Sequence, residues 1–220
     1  MTYRTNFDKE LELLKLSLIR MGDLVVNHIQ DGFRSFLTMD TKLAEENILA
    51  DRMVNEQEYA IEKECMRIIL REQPVAKDLR LITAVLKMIT DLERIGDHAA
   101  DISKMTIFME KTHGKHEMPK MQKMTEACSK MINKALQSFV NNDMNLAYEV
   151  IKDDDEVDED FEEIKKRVAS AIRENNIDAD FAIYLMMVAK YLERIGDHAV
   201  NLGEWVIFSI TGEHLKFPTP

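Results

Sequence analysis

The longest proline-free stretch is the feature that most limits the fold of this chain. Residues 120–217 contain no proline, and all 220 residues hold only 4 prolines and 7 glycines. Because β-sandwiches and barrels need frequent turns, which use proline and glycine, this spacing argues against them. Apolar residues make up 45% of the chain, enough for a sizeable core. The sequence therefore predicts an all-α protein of long helices.

The charge balance restricts the classes of partner. Acidic side chains number 40 and basic ones 29, for a formal charge of −11, and no Lys/Arg-rich segment occurs. Nucleic-acid binding is therefore not expected, whereas a cation is a natural small partner. The longest apolar run, residues 181–189, is too short for a membrane span, which needs about 20 residues. We expect no direct membrane insertion.

The N-terminal sequence and the cysteines bear on the compartment. The first residues lack the apolar stretch and cleavage site of a secretory signal, so a cytoplasmic protein is expected. Cys65 and Cys128 have no C-x-x-C or Cys/His spacing. Neither a disulfide framework nor a thiolate zinc site is supported, and both are predicted to be small core residues.

An internal repeat sets the domain organisation. The octapeptide LERIGDHA occurs at 92–99 and again at 192–199, an offset of 100. Upstream, the two copies align at an offset of 103, as in Asp51 with Asp154, because the first copy is three residues longer near Pro74. Such self-similarity predicts two related units. These are a first repeat at 1–112, a connector at 113–118 and a second repeat at 119–220.

Each repeat is expected to form three helices. In the first helix, apolar residues from Phe7 to Ile29 alternate at spacings of 4 and 3, as in an antiparallel bundle. Asp40 is predicted to cap the second helix, which runs to about Arg71, with Pro74 at or near the first turn of the third. The second repeat is predicted as helices at 119–141, 143–174 and 178–211. The result is two tandem three-helix bundles, packed against each other or end to end.

The octapeptide places acidic side chains in a line. Residues one turn apart stack at roughly 6 Å intervals, and like charges so placed destabilise a helix by about 0.2 to 0.5 kcal/mol per pair. A cation would compensate, and the second helix of each repeat offers a matching line of oxygen ligands. The candidate metal ligands are Asp51, Asn55, Glu93, Asp97 and Asp101 in the first repeat, and Asp154, Asp158, Glu193, Asp197 and Asn201 in the second.

The position of these lines indicates a surface site of hard ligands. Leu92, Gly96 and Ala99 are predicted to face inward, so the acids lie beside the core rather than in it. Carboxylate and amide oxygens suit magnesium, calcium, manganese or iron, and the sequence does not choose among these ions. An alternative without metal is an ion-pair ladder, in which Arg94 and Arg194 pair with the acids three residues on.

Other residues of the motif receive structural interpretations. Gly96 and Gly196 are predicted to permit close helix approach rather than to contact a ligand. His98 and His198 point about 100° away from the acids, which favours exposed positions or supporting contacts over ligation. Methionines near the connector are candidate contacts for a protein partner: Met105, Met109, Met118 and Met121.

These motifs resemble a known family. Two copies of a three-helix unit, each with E-R-I-G-D preceded by a D-x-x-V-[ND] segment, are similar to PhoU, the bacterial phosphate-signalling regulator. The D-x-x-V-[ND] segments are residues 51–55 and 154–158, and the Gln73-Pro74 turn followed by Asp78-Leu79-Arg80 also resembles the family pattern. The resemblance covers nearly the whole chain.

The resemblance implies a function that the residues alone do not. PhoU proteins are cytoplasmic, commonly dimeric, and carry multinuclear iron or zinc clusters on paired E/D-x-x-x-D motifs. Asn55 and Asn201 depart from an all-carboxylate pattern, which lowers the negative charge of each site. The family role is negative regulation of phosphate uptake. In this role, a PhoU protein couples the ATPase subunit of the phosphate ABC transporter to a phosphate-sensing histidine kinase. The resemblance therefore implies a homodimeric regulatory adaptor.

Two other function classes stay open at this point. No nucleophile with an adjacent base and no Gly-rich phosphate loop is visible, so the chain is not expected to be an enzyme. A metal-dependent enzyme that uses the carboxylate clusters is the main alternative. The other is a helical scaffold without metal.

Overall fold

The fold consists of six long helices. The computed structural model describes residues 2–110 and 119–215, with side chains from residue 6 onward, and this part of the chain contains no strand. The all-α prediction is confirmed, and the predicted connector 113–118 lies outside the described residues. The helices are α1 (Thr2–Thr38), α2 (Thr41–Glu72), α3 (Lys77–Met109), α4 (Pro119–Asn141), α5 (Met144–Arg173) and α6 (Ala179–Thr211).

Aspartates begin three of these helices. The carboxylate of Asp40 accepts a hydrogen bond of 3.0 Å from the backbone N–H of Leu43, which confirms the predicted cap. Asp143 caps α5 and Asp178 caps α6 in the same way. Their side chains satisfy N–H groups that have no partner within the helix.

The start of α3 differs from the prediction. Gln73 and Ala76 have positive φ angles of 47° each, and they turn the chain between α2 and α3. Helical hydrogen bonding therefore begins at Lys77, and Pro74 lies in the turn rather than in the first turn of the helix. The backbone conformation of the turn, which residue type alone does not dictate, sets this boundary.

The two three-helix bundles lie side by side. α3 and α6 pack against each other, α1 and α2 flank α3, and α4 and α5 flank α6. A further contact joins α1 to α4, whereas α2 and α5 touch only helices of their own bundle. The side-by-side alternative is therefore the observed one. No helix in the described ranges has an apolar stretch long enough to cross a membrane.

The predicted helix faces form the core. Leu14, Leu18 and Val25 of α1 are completely buried, as are both free cysteines. Met105, Met109 and Met121 are also buried, so their predicted role as partner contacts is wrong, because their helices direct them into the bundles. Met118 lies outside the described residues.

A polar network crosses the contact between the repeats. Asp91 of α3 accepts hydrogen bonds from three side chains of α6: His198 at 2.8 Å, Asn201 at 2.9 Å and Trp205 at 3.2 Å. The Asp91 side chain is only 13% exposed. Because a shielded carboxylate needs such partners, the network fixes how α3 and α6 sit against each other.

The internal repeat explains the position of this network. Asp91 immediately precedes the first octapeptide, and Tyr191 holds the same place before the second. Asp91 bonds His198, while Tyr191 stacks on His98 at a ring distance of 5.7 Å. Equivalent positions therefore meet across an approximate two-fold relation. The rings of the octapeptide histidines lie 5.7 Å apart between the repeats and are partly buried. His98 also has its Nδ1 atom 4.0 Å from Oδ2 of Asp101.

Replacing Asp91 by alanine should destabilise the fold. The change removes the acceptor of three hydrogen bonds, and we expect the free energy of unfolding to fall by about 2 to 3 kcal/mol in urea denaturation. Asp31→Ala is the control, because Asp31 is half-exposed and its ion pair in the described part of the chain is with Arg34 one turn away. This change should alter stability by less than about 0.5 kcal/mol. Equal effects of the two substitutions would contradict a structural role of the network.

Candidate metal sites

The glycine of each octapeptide makes room for an acid of the neighbouring helix. A Cβ atom on Gly96 would lie 3.4 Å from Oδ1 of Asp51 and 3.0 Å from Val54. On Gly196 it would lie only 2.6 Å from Oδ1 of Asp154. The prediction that these glycines permit close helix approach is confirmed. Their absent side chains let one carboxylate oxygen enter the groove between the paired helices.

The first site lies between α2 and α3. Asn55 donates a hydrogen bond of 3.2 Å to Oδ2 of Asp51, and the carboxylates of Glu93 and Asp97 are close enough to interact with Asp51 electrostatically. Arg94 pairs with Asp97 at 2.9 Å, as the ion-pair alternative predicted. The first repeat thus brings four of its predicted ligands together beside the guanidinium of Arg94.

Burial disfavours ionised carboxylates in this first site. It raises the pKa of Asp51, and the neighbouring charge of Asp97 adds to the increase while His28 opposes it. The pKa of Glu93 is also raised, chiefly by burial and then by Asp97. Loss of water around a carboxylate favours its neutral form unless a positive charge replaces the water.

The second site, between α5 and α6, is more strongly acidic. Asp154, Asp158, Glu193 and Asp197 are mutual electrostatic neighbours. Lys190 pairs with Glu193 and is the cation that acts on this group. Unlike its counterpart in the first site, Arg194 makes no ion pair with Asp197 among the described residues. Four carboxylates therefore share a groove with one lysine.

The strongest electrostatic strain falls on Asp154. Burial, and then the charges of Asp158, Asp197 and Glu193, raise the pKa of Asp154 to about 7. Burial, and then the charge of Glu193, also raise the pKa of Asp158 and of Asp197, while Lys190 opposes the increase. A divalent cation would relieve this strain, because it favours the ionised forms of all four groups.

The remaining two predicted ligands are bonded to other side chains. Asp101 is bonded to Lys104 at 2.8 Å, one turn further along α3. Asn201 donates its amide to Asp91 in the contact between the repeats. Ligation by Asn201 would require that hydrogen bond to break.

The donor atoms are of types that bind cations, but they do not form a complete coordination site. Across residues 2–110 and 119–215, no group of three or more His, Cys, Asp or Glu side chains converges tightly enough to hold a metal ion. Buried Oδ1 atoms of Asp51 and Asp154 nevertheless have no hydrogen-bond partner in the protein. Such atoms are costly. Each groove therefore offers an unpaired anionic oxygen, and the other side chains would have to rotate toward an ion.

Two residues near the first site were not predicted. His28 of α1 has its Nε2 atom 3.8 Å from Oδ1 of Asp51, and burial lowers the pKa of His28. Glu58 of α2 interacts with Arg94 and Asp97, and burial raises the pKa of Glu58. The spacing of Asp51, Asn55 and Glu58 could have revealed Glu58. His28 carries no such signal, because it belongs to an apolar helix face.

Two helical repeats, each with an acidic groove at the same place, define the class of protein to which this chain belongs. A family model for the PhoU domain matches residues 18–106 and again residues 121–206. These two matches cover most of both repeats. The chain belongs to the PhoU family.

Curated relatives agree over the full length. The phosphate-specific transport system accessory protein PhoU homolog 1 of Thermotoga maritima is 38% identical over 217 residues, 98% of this chain and 94% of the relative. A PhoU homolog of Clostridium acetobutylicum with the same accessory-protein name is 35% identical, over 96% of this chain and 97% of the relative.

Solved structures agree with the fold. The crystal structure of PhoU from Pseudomonas aeruginosa matches with a TM-score of 0.88 and 32% identity, over 94% of this chain and all of that one (100%). The phosphate transport system regulatory protein PhoU from Streptococcus pneumoniae gives a TM-score of 0.89 at 24% identity, over 96% of this chain and 100% of that one, which supports the fold alone.

The acidity of the second groove should make stability depend on pH in the presence of a chelator. With a folded-state pKa of about 7 against an ordinary value of 3.8, Asp154 binds more protons in the folded than in the unfolded chain between these values. The free energy of unfolding contributed by Asp154 therefore falls as pH rises through this window and stays low above it. Asp154→Asn should add about 1 to 2 kcal/mol at pH 8, after allowance for solvent screening, and almost nothing at pH 4.

Urea denaturation at the two pH values measures this difference. Glu159→Gln is the control, since Glu159 is an exposed acid of the same helix. If Asp154→Asn raises the free energy of unfolding equally at both pH values, the charge of Asp154 does not destabilise the fold.

Proposed function

We propose that this chain is a regulatory accessory protein of phosphate transport. The observation that carries the proposal is the match of the PhoU domain to both repeats. The relatives from Thermotoga maritima and Clostridium acetobutylicum are named as accessory proteins of the phosphate-specific transport system, and neither name describes an enzyme. A non-enzymatic role is therefore proposed for this chain as well.

The finer proposal is negative regulation through protein contacts in the cytoplasm. In it, the chain joins the ATPase subunit of the phosphate ABC transporter to a phosphate-sensing histidine kinase and keeps the phosphate response off when phosphate is plentiful. Long rigid helices suit this role, because they present side chains at fixed spacing to another protein. We also propose a homodimer, for which light scattering should give twice the chain mass of 25.5 kDa.

Metal ions are proposed as resident cofactors of the two acidic grooves. Asp51, Asn55, Glu93 and Asp97 would hold an ion in the first groove, and Asp154, Asp158, Glu193 and Asp197 would do so in the second. The unpaired Oδ1 atoms of Asp51 and Asp154 support this assignment. Iron or zinc is the proposed identity. A bound ion would supply positive charge, which lets the buried carboxylates ionise and ties α2 to α3 and α5 to α6.

Metal content tests this part of the proposal. Gently purified protein should contain iron or zinc by inductively coupled plasma mass spectrometry. The pair Glu93→Ala and Asp97→Ala should lose the share bound in the first groove, and Glu193→Ala with Asp197→Ala the share in the second. Added metal at 100 times its Kd should stabilise the wild-type protein by about 2.7 kcal/mol.

A pair of acids with the same spacing serves as the control. Glu159→Ala with Glu163→Ala removes two exposed acids of α5 and should leave the metal content unchanged. Protein that contains no iron, zinc or manganese, and that added metal does not stabilise, would favour the metal-free scaffold.

Deletion of the gene tests the regulatory role. Without the protein, a phosphate-regulated reporter should be expressed even in high phosphate, because the signal to the kinase is lost. The intact gene should restore repression. Repression that persists in high phosphate after deletion would count against a regulator and favour the metal-dependent enzyme as the alternative. When an affinity-tagged copy is expressed in the deletion strain and purified, the transporter ATPase and the kinase should be purified with it.

A further inference from the structure

The first groove contains a buried histidine whose side chain is only 2% exposed. His28 of α1 lies beneath Asp51, and its Nε2 atom has no hydrogen-bond partner. The nearest oxygen of Asp51, Oδ1, is also buried and also has none, and the two atoms are 3.8 Å apart. A gap of 3.8 Å is too long for a hydrogen bond. Two unsatisfied atoms of a buried pair therefore face each other.

The surroundings hold the imidazole in this position. The ring interacts with the side chain of Asn47 and with the backbone of Gly96, and its Nε2 atom lies 3.8 Å from Oδ1 of Asp51. Asn47 is itself fixed by hydrogen bonds to the His28 carbonyl and to Ser103. Protein contacts that fix the orientation of the ring are typical of histidines that ligate metals.

The distance fits two ligands of one ion. Zinc binds imidazole nitrogen at about 2.0 to 2.1 Å and carboxylate oxygen at about 2.0 to 2.2 Å, so two donors on a common ion lie about 3 to 4 Å apart. The separation of 3.8 Å between Nε2 and Oδ1 falls within that range.

The second groove lacks the equivalent donor. At the offset of 103 that relates Asp51 to Asp154, His28 corresponds to Met131. Met131 is completely buried and offers only a thioether. The side chains of the second groove that act on Asp154 are therefore carboxylates, Asp158, Glu193 and Asp197. The thiol of Cys128 lies nearby, but it donates to the carbonyl of Leu192 at 3.3 Å.

We propose that His28 is a nitrogen ligand of the first groove, so that the protein has two chemically different metal sites. The first is a mixed imidazole and carboxylate site, which suits Zn²⁺ or Fe²⁺. The second is a carboxylate site, which suits iron as well as harder ions such as Mn²⁺ or Mg²⁺. This inference rests on the proposed function, in which both grooves bind metal.

Calorimetric titration of the metal-free protein tests the inference. Wild-type protein should bind Zn²⁺ in the first groove, and His28→Gln should weaken that binding by at least about tenfold while Mn²⁺ binding to the second groove is unchanged. The glutamine keeps a polar side chain of similar length. His214→Gln is the matched control, because His214 is exposed and lies beyond the end of α6.

The reciprocal variant and a spectroscopic signal complete the test. Met131→His should tighten Zn²⁺ binding in the second groove, and it remains informative if His28→Gln fails to fold. In the wild-type protein, the ¹⁵N resonance of His28 Nε2 should shift when Zn²⁺ is added, which a purely structural histidine would not show.

The outcomes separate this inference from the function on which it rests. If neither Zn²⁺ nor Mn²⁺ binds the wild-type protein, both the metal part of the proposed function and the inference fail. If Zn²⁺ binds wild-type and His28→Gln equally and the His28 resonance does not move, only the inference fails. Selective loss in His28→Gln with a shifted resonance supports it.

Discussion

The packing of α3 against α6 is the contact on which the rest of the structure depends. Each helix is the centre of its own bundle, so their contact joins both repeats and leaves α2 and α5 on the outside. Because Asp91 bonds three side chains of α6, the register between the helices is fixed by directional bonds as well as by apolar burial. The acidic grooves, between α2 and α3 and between α5 and α6, consequently lie in opposite bundles.

Each groove combines close packing with electrostatic strain. The octapeptide glycine lets an aspartate oxygen pass between two helices, where water no longer solvates it fully. A protein selected only for stability would place an apolar side chain there, since a buried carboxylate without a partner is destabilising. Both repeats contain such a destabilising carboxylate, which supports the proposal that a cation binds there.

The two grooves have diverged on a shared backbone. Lys104 and Arg94 offset the acids of the first groove, while Glu204 stands in the place of Lys104 in the second repeat. Glu58 of the first repeat corresponds to Phe161, and His28 to Met131. The second groove is thus the more acidic, which agrees with the pKa of about 7 for Asp154. The two repeats share one fold, whereas substitutions between them have changed the side chains that surround each groove.

The sequence by itself determined the six helices, the Asp40 cap and the repeat, because helix periodicity and proline placement are local properties and the octapeptide occurs twice. It also indicated that Asp51 meets the octapeptide acids, since both lines recur in both copies. Only the tertiary structure placed His28 beneath Asp51 and Asn201 against Asp91. These contacts join residues far apart in the chain, on different helices, and the rotation of each packed helix decides which side chains meet.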